Sequence, residues 1–246
     1  MDAPSAHTQR ATGLFETTRW SVVRAAAAGG DERAKAAMTW LFKNYWHPLY
    51  TFIRGMGQSR EDAEDVVQEF FARLMDGRLL NSVTPERGRF RTMMLTSLRN
   101  LELDIRRGGQ AQKRGGGAEH VPFDFEDAEA AWLRVADDAL TPEAAFDRAW
   151  AQSLVELAGR RLREECEAAG KGGLFTELFP FVTGGEGVGD FSAAAARLDM
   201  NEKAARMALS RLRRSYTAAI RAEVAETVGS HDDEKDELRY LLENFS

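Results

Sequence analysis

Apolar residues recur at spacings of three and four along nearly the whole chain, the period of an amphipathic helix rather than a strand. Ala34, Ala37, Met38, Leu41, Tyr45, Leu49, Phe52 and Ile53 mark one face of a long helix, and Pro48 within it predicts a kink or a split into two. Ser59, followed by Arg60, Glu61 and Asp62, reads as an N-cap with an acidic N3 residue, close to a capping box. The helix it opens carries Val66, Val67, Phe70, Phe71, Leu74 and Met75 at one-turn spacing. Gly77, Asn81, Ser82, Pro85 and Gly88 end it in a loop. The next helix sets Phe90, Met94, Leu98, Leu101 and Ile105 on one side and arginines on the other.

The pattern then breaks. Two glycine clusters, Gly108-Gly109 and Gly115-Gly116-Gly117, bracket a polar stretch that reads as a flexible linker. It continues through acidic residues between Asp124 and Asp138 and ends at Thr141-Pro142-Glu143, a helix start with Pro in the first position. Residues 145–168 predict a long amphipathic helix (Phe146, Trp150, Leu154, Leu157, Leu162), and residues 174–182 another apolar helical segment interrupted by Pro180. Residues 184–189 form a loop, and no segment shows a convincing strand or repeat. The expected fold class is all-α: two small helical domains joined by a flexible acidic linker.

Composition changes this picture little until charge is placed along the chain. The 246 residues carry a net charge of −6, which read alone argues against a nucleic-acid partner. The sum hides two basic blocks of net +5, residues 86–114 and 201–221. Between them residues 115–200 hold −10, and residues 222–246 hold −6. One cysteine, Cys166, allows no intramolecular disulfide and fits a reducing compartment. No apolar run approaches the ~18 residues of a membrane helix, and residues 1–30 lack a signal peptide's apolar core. A cytoplasmic protein with no membrane partner is expected.

The second basic block overlaps residues 191–216, which fit a helix-turn-helix. A short Ala-rich helix (residues 192–198) permits close approach of a second, Asp199 and Met200 make the turn, and Asn201 is a good N-cap. The second helix buries Ala205, Ala208, Leu209 and Leu212 and turns Lys203, Arg206, Ser210, Arg213 and Arg214 outward. That is what a recognition helix needs, with its N-terminal residues at base edges and cations along the phosphates. The same pattern also suits an Arg-rich surface helix of an ordinary bundle.

Three stretches together resemble bacterial sigma factors of the extracytoplasmic-function (ECF) class. Asp62-Ala63-Glu64-Asp65-Val66-Val67-Gln68-Glu69-Phe70-Phe71 is similar to the family's DAEDlvQeaF block of sigma region 2. Residues 90–100, with Asp104 and Arg106-Arg107 after them, are similar to its FRaWLyriarN helix, and residues 201–214 to the recognition helix of sigma region 4. The family tryptophan and tyrosine positions hold Met93 and Leu95, so stacking groups are missing there. The resemblance divides the chain into region 2 (residues 14–108), a linker (109–140), region 4 (141–228) and an acidic helical extension (229–246).

The resemblance implies a protein that binds core RNA polymerase and directs promoter recognition, −10 melting and transcription initiation. Asp62, Glu64, Asp65, Gln68, Glu69 and Phe71 would meet the clamp helices of the largest polymerase subunit, with the flap region as a further contact. Arg87, Arg89, Arg91, Arg99, Asn100, Arg106 and Arg107 would serve the single-stranded −10 element, with a base pocket in the loop of residues 76–89. Asn201, Lys203, Arg206, Ser210, Arg211, Arg213 and Arg214 would serve the duplex −35 element. The acidic linker would thread a basic channel of the polymerase. An anti-sigma or other regulatory protein is a further partner that the resemblance admits.

No nucleophile with its base, Walker loop or zinc site is present, so no enzymatic activity, cofactor or metal is expected. Trp20, Trp40, Trp46, Trp132, Trp150, His47 and Cys166 read as packing residues. The first rival is a stand-alone helix-turn-helix transcriptional regulator, and the second a helical adaptor whose basic blocks bind acidic proteins. In the extension, Leu238, Leu241, Leu242 and Phe245 predict a helix packed on region 4. The alternative is a regulatory segment that masks the recognition helix or docks a partner.

Overall fold

The computed structural model describes residues 32–75, 90–107, 125–136, 140–184, 188–228 and 231–244, and every regular element among them is a helix. Helix α1 spans Glu32–Gly55 and runs through Pro48 unbroken, so of the kink or split expected there the split does not occur. Tyr45, Leu49, Tyr50, Phe52 and Ile53 are all fully buried on both sides of the proline. Their packing outweighs the roughly 3 kcal/mol that an interior proline costs. Helix α2 spans Arg60–Met75. The Ser59 hydroxyl accepts from the Asp62 N–H at 3.1 Å and donates to the Asp62 carboxylate at 2.8 Å, so Ser59 is the cap. Helix α3, Phe90–Arg107, buries Met94, Leu98 and Leu101 against α1 and α2.

The stretch read as an acidic linker holds a helix, α4, at Phe125–Ala136. It docks on α1 because its apolar and acidic positions share a face. Phe125 packs on Trp46 and Tyr50 with ring centroids 5.2 and 5.6 Å apart. One turn on, Glu129 accepts from the Tyr50 hydroxyl at 2.5 Å and from Arg54 at 2.9 and 2.7 Å. Burial raises the Tyr50 hydroxyl pKa, and the bond to Glu129 raises it further. The glycine-bracketed residues 108–117 lie outside the described residues.

Helix α5, Pro142–Ala168, is capped by Thr141, whose hydroxyl accepts from the Ala144 N–H at 3.2 Å. At 1.5 Å per residue its 27 residues span about 40 Å. Its first half belongs to the same core as α1–α3. Trp150 stacks on Tyr45 at 4.6 Å, and Phe146 lies 6.3 Å from Phe52. Its second half builds another core: Ala158 and Leu162 pack with Phe175, Leu178, Leu209, Leu212 and Tyr216. Those come from α6 (Gly172–Leu178) and α9 (Glu202–Ala225), with α7 (Pro180–Thr183) and α8 (Phe191–Arg197) beside them. Gly159 allows this closeness, since a Cβ there would stand 3.3 Å from the Phe179 ring.

Asp190 caps α8, its carboxylate accepting from the Ser192 N–H at 2.9 Å. The chain then reverses through Asp199, which takes a left-handed φ of 53°, and Asn201 caps α9 by accepting from the Ala204 N–H at 2.9 Å. The last helix, α10, spans His231–Asn244 and packs on α5 and on the end of α9. Its Leu241 joins Val224 in the first core. Leu242 and Phe245, expected in the same stripe, lie outside the described side chains.

Candidate polymerase and nucleic-acid interface

The face of α2 opposite the core is acidic. Ala63, Val66, Val67, Phe70 and Leu74 turn inward, leaving Asp62, Asp65 and Glu69 exposed and Glu64 and Gln68 half-buried. Neighbours hold part of this charge in place: Glu64 pairs with Arg60 at 2.8 Å and Glu69 with Arg73 at 2.7 Å. Phe71 lies in the core, edge-on to Phe42 at 4.4 Å, and is 2% exposed. The accessible surface of α2 is therefore polar and anionic, suited to a cationic partner.

Helix α3 divides its cations. Asn100 and Arg107 are exposed, and Arg106 is open to solvent while paired at 2.5 Å with the buried Glu102, which also accepts from Gln58 at 2.9 Å. Arg99 pairs with Glu143 of α5 and lies over the Phe52 ring at 5.3 Å. Arg91 turns inward. It meets Asp147 of α5 and Glu237 of α10, each at 2.6 Å, with side chains only 12%, 5% and 1% exposed. Its guanidinium also lies 4.3 Å from the Tyr240 ring centre, and the Tyr240 hydroxyl donates to Asp147. Burial opposes the Arg91 charge, but Glu237 and Asp147 outweigh it and hold its pKa above the ordinary arginine value. Arg87 and Arg89, with the loop of residues 76–89, lie outside the described residues. Met93 and Leu95 are half-buried and pack on the first core.

The outward side of α9 carries Lys203, Arg206, Met207, Ser210, Arg211, Arg213 and Arg214, all exposed. Glu202 holds Arg206, which also lies over the Phe191 ring of α8 at 5.3 Å. Arg213 donates to the Phe181 carbonyl of α7 at 2.9 Å. Tyr216 locks the helix from below by donating to the Val155 carbonyl at 3.1 Å. Glu202, Lys203, Arg206, Met207 and Ser210 line a shallow depression on this side. Met207 is apolar yet exposed on this side, whereas the sequence reading of outward residues names only polar and cationic ones. Its signal is its angular distance from the stripe Ala205, Ala208, Leu209 and Leu212.

Residues 22–112 match the family model for Sigma-70 region 2. The match takes in α1, α2 and α3 with the residues between them, which is under half of the chain. It supports a sigma factor, a non-enzymatic initiation factor of a family that binds core RNA polymerase and promoter DNA. No curated protein and no solved structure matches the chain. Among the described residues no helix is long and apolar enough to cross a membrane, and no group of three or more metal-ligating side chains gathers.

Proposed function

We propose that the chain is a sigma factor of the ECF class that carries core RNA polymerase to a promoter and opens its −10 element. The observation that carries this reading is the Sigma-70 region 2 match over residues 22–112. In this reading the anionic face of α2 docks on the clamp helices of the largest polymerase subunit. Asn100, Arg106 and Arg107 of α3, with Arg87 and Arg89 before it, meet the melted −10 strand. Helices α8 and α9 form the helix-turn-helix of region 4, which reads the −35 element as duplex and meets the flap region. Arg91 and Arg99 serve DNA only once their pairs with α5 and α10 are released.

In vitro transcription with core polymerase over a broad promoter library tests the reading. Promoter-dependent transcripts that require the protein are the expected result, and their absence across the library overturns it. A stand-alone regulator would use α8 and α9 alone and leaves the match over α1–α3 without a role.

A further inference from the structure

Met207 is an apolar side chain 57% exposed to solvent, on a helix whose inward side already has its packing residues. At 100° per residue, Ala205, Ala208, Leu209, Leu212 and Tyr216 define the buried side of α9. Lys203, Met207, Ser210 and Arg214 form the row directly opposite. Met207 thus stands at the middle of the outermost row, with a cation one turn before it and a hydroxyl and a cation after it. It also lines the depression shared with Glu202, Lys203, Arg206 and Ser210. Glu202 and the Phe191 ring hold the adjoining Arg206, so the surroundings of the thioether are ordered.

We propose that Met207 selects a thymine in the −35 element by contact with its C5 methyl group. This rests on the region 4 reading of α8 and α9. The methyl of thymine is the apolar feature that base edges offer in the major groove, and apolar side chains recognise it by contact. The N-terminal part of a recognition helix is the part that reaches base edges, and Met207 lies in the second turn of α9. Lys203, Ser210 and Arg214 along the same row supply the polar contacts that set the helix in register on the duplex. The flexible thioether fits a methyl group without demanding a fixed shape.

The test uses holoenzyme assembled from the full chain and core RNA polymerase, with promoters randomised through the −35 region and the selected sequences read out. The wild type is expected to prefer thymine at one position, Met207→Ala to lose that preference, and Met207→Leu to keep it. Replacing that thymine by deoxyuridine, which lacks only the methyl group, should weaken the wild type about fourfold and leave Met207→Ala unchanged. An equal deoxyuridine effect on both proteins, or an unaltered preference in Met207→Ala, overturns the proposal and leaves the region 4 reading standing. A wild-type holoenzyme that selects no −35 sequence overturns both.

Discussion

Replacing Arg91 by methionine removes the cation at the meeting point of α3, α5 and α10 and leaves Asp147 and Glu237 facing each other. Both carboxylates are almost fully buried, so water cannot take the place of the guanidinium. At an effective dielectric of about 20, a charge pair 4 Å apart is worth about 4 kcal/mol before desolvation is counted. Desolvation of the ions offsets much of that gain in the intact cluster, but a buried carboxylate that loses its cation retains its cost. The expected loss for Arg91→Met is therefore about 3–5 kcal/mol near pH 7. Urea unfolding followed by far-UV circular dichroism measures it. Adding Glu237→Gln should recover part of the loss, because one of the two facing carboxylates is then neutral. In a chain ending at residue 229, Arg91→Met should cost less, since Glu237 is absent and Asp147 alone of the two carboxylates loses the cation. A loss under about 0.5 kcal/mol, the range of ordinary surface substitutions, would refute the buried cluster. An equal loss with and without α10 would refute the role of Glu237.

Trp150→Ala should cost about 3–5 kcal/mol and shift the whole unfolding curve, because the residue stacks on Tyr45 in the core that joins α1 to α5. Separate transitions for the two halves of the wild-type chain would contradict that shared core. Asn201→Ala should lower stability by about 1 kcal/mol in a thermal melt, through loss of the α9 cap. Burial pushes the Glu129 carboxyl up, but its bonds from Arg54 and Tyr50 outweigh this and hold it below its ordinary value of 4.5. Its contribution to docking α4 is complete above that value and lost as the pH falls through the depressed one. Glu129→Gln should accordingly show a shallower loss of stability in acid urea titrations than the wild type. Asp65→Lys should weaken binding to core polymerase in a salt-dependent manner while leaving the circular dichroism spectrum unchanged.

The ion pairs of α3 set a condition on the proposed function. Under that function Arg91 and Arg99 reach the −10 strand only after leaving Asp147, Glu237 and Glu143. Helix α10 leaves Lys203, Met207, Ser210 and Arg214 exposed, so its contact with Arg91 touches the −10 side of the proposed function rather than the −35 side.

The helices themselves were legible along the chain. Periodicity at three and four residues placed α1, α2, α3, α5 and α9, and the caps Ser59, Thr141 and Asn201 marked starts that the structure keeps, because capping is a contact within four residues. Helix α4 was missed because acidic residues and nearby glycines read as linker, whereas Glu129 is held by Arg54, 75 positions earlier. Arg91 reads in sequence as one more cation on a basic helix. Only the tertiary structure brings Asp147 and Glu237 to it, from 56 and 146 positions away. The net charge of −6 shows the same division. Sequence alone located two basic blocks within an acidic chain, since charge along the backbone is a local property. Which of those cations face solvent and which are bound by distant carboxylates was decided by packing, because a charge pair depends on distance in space and not along the chain.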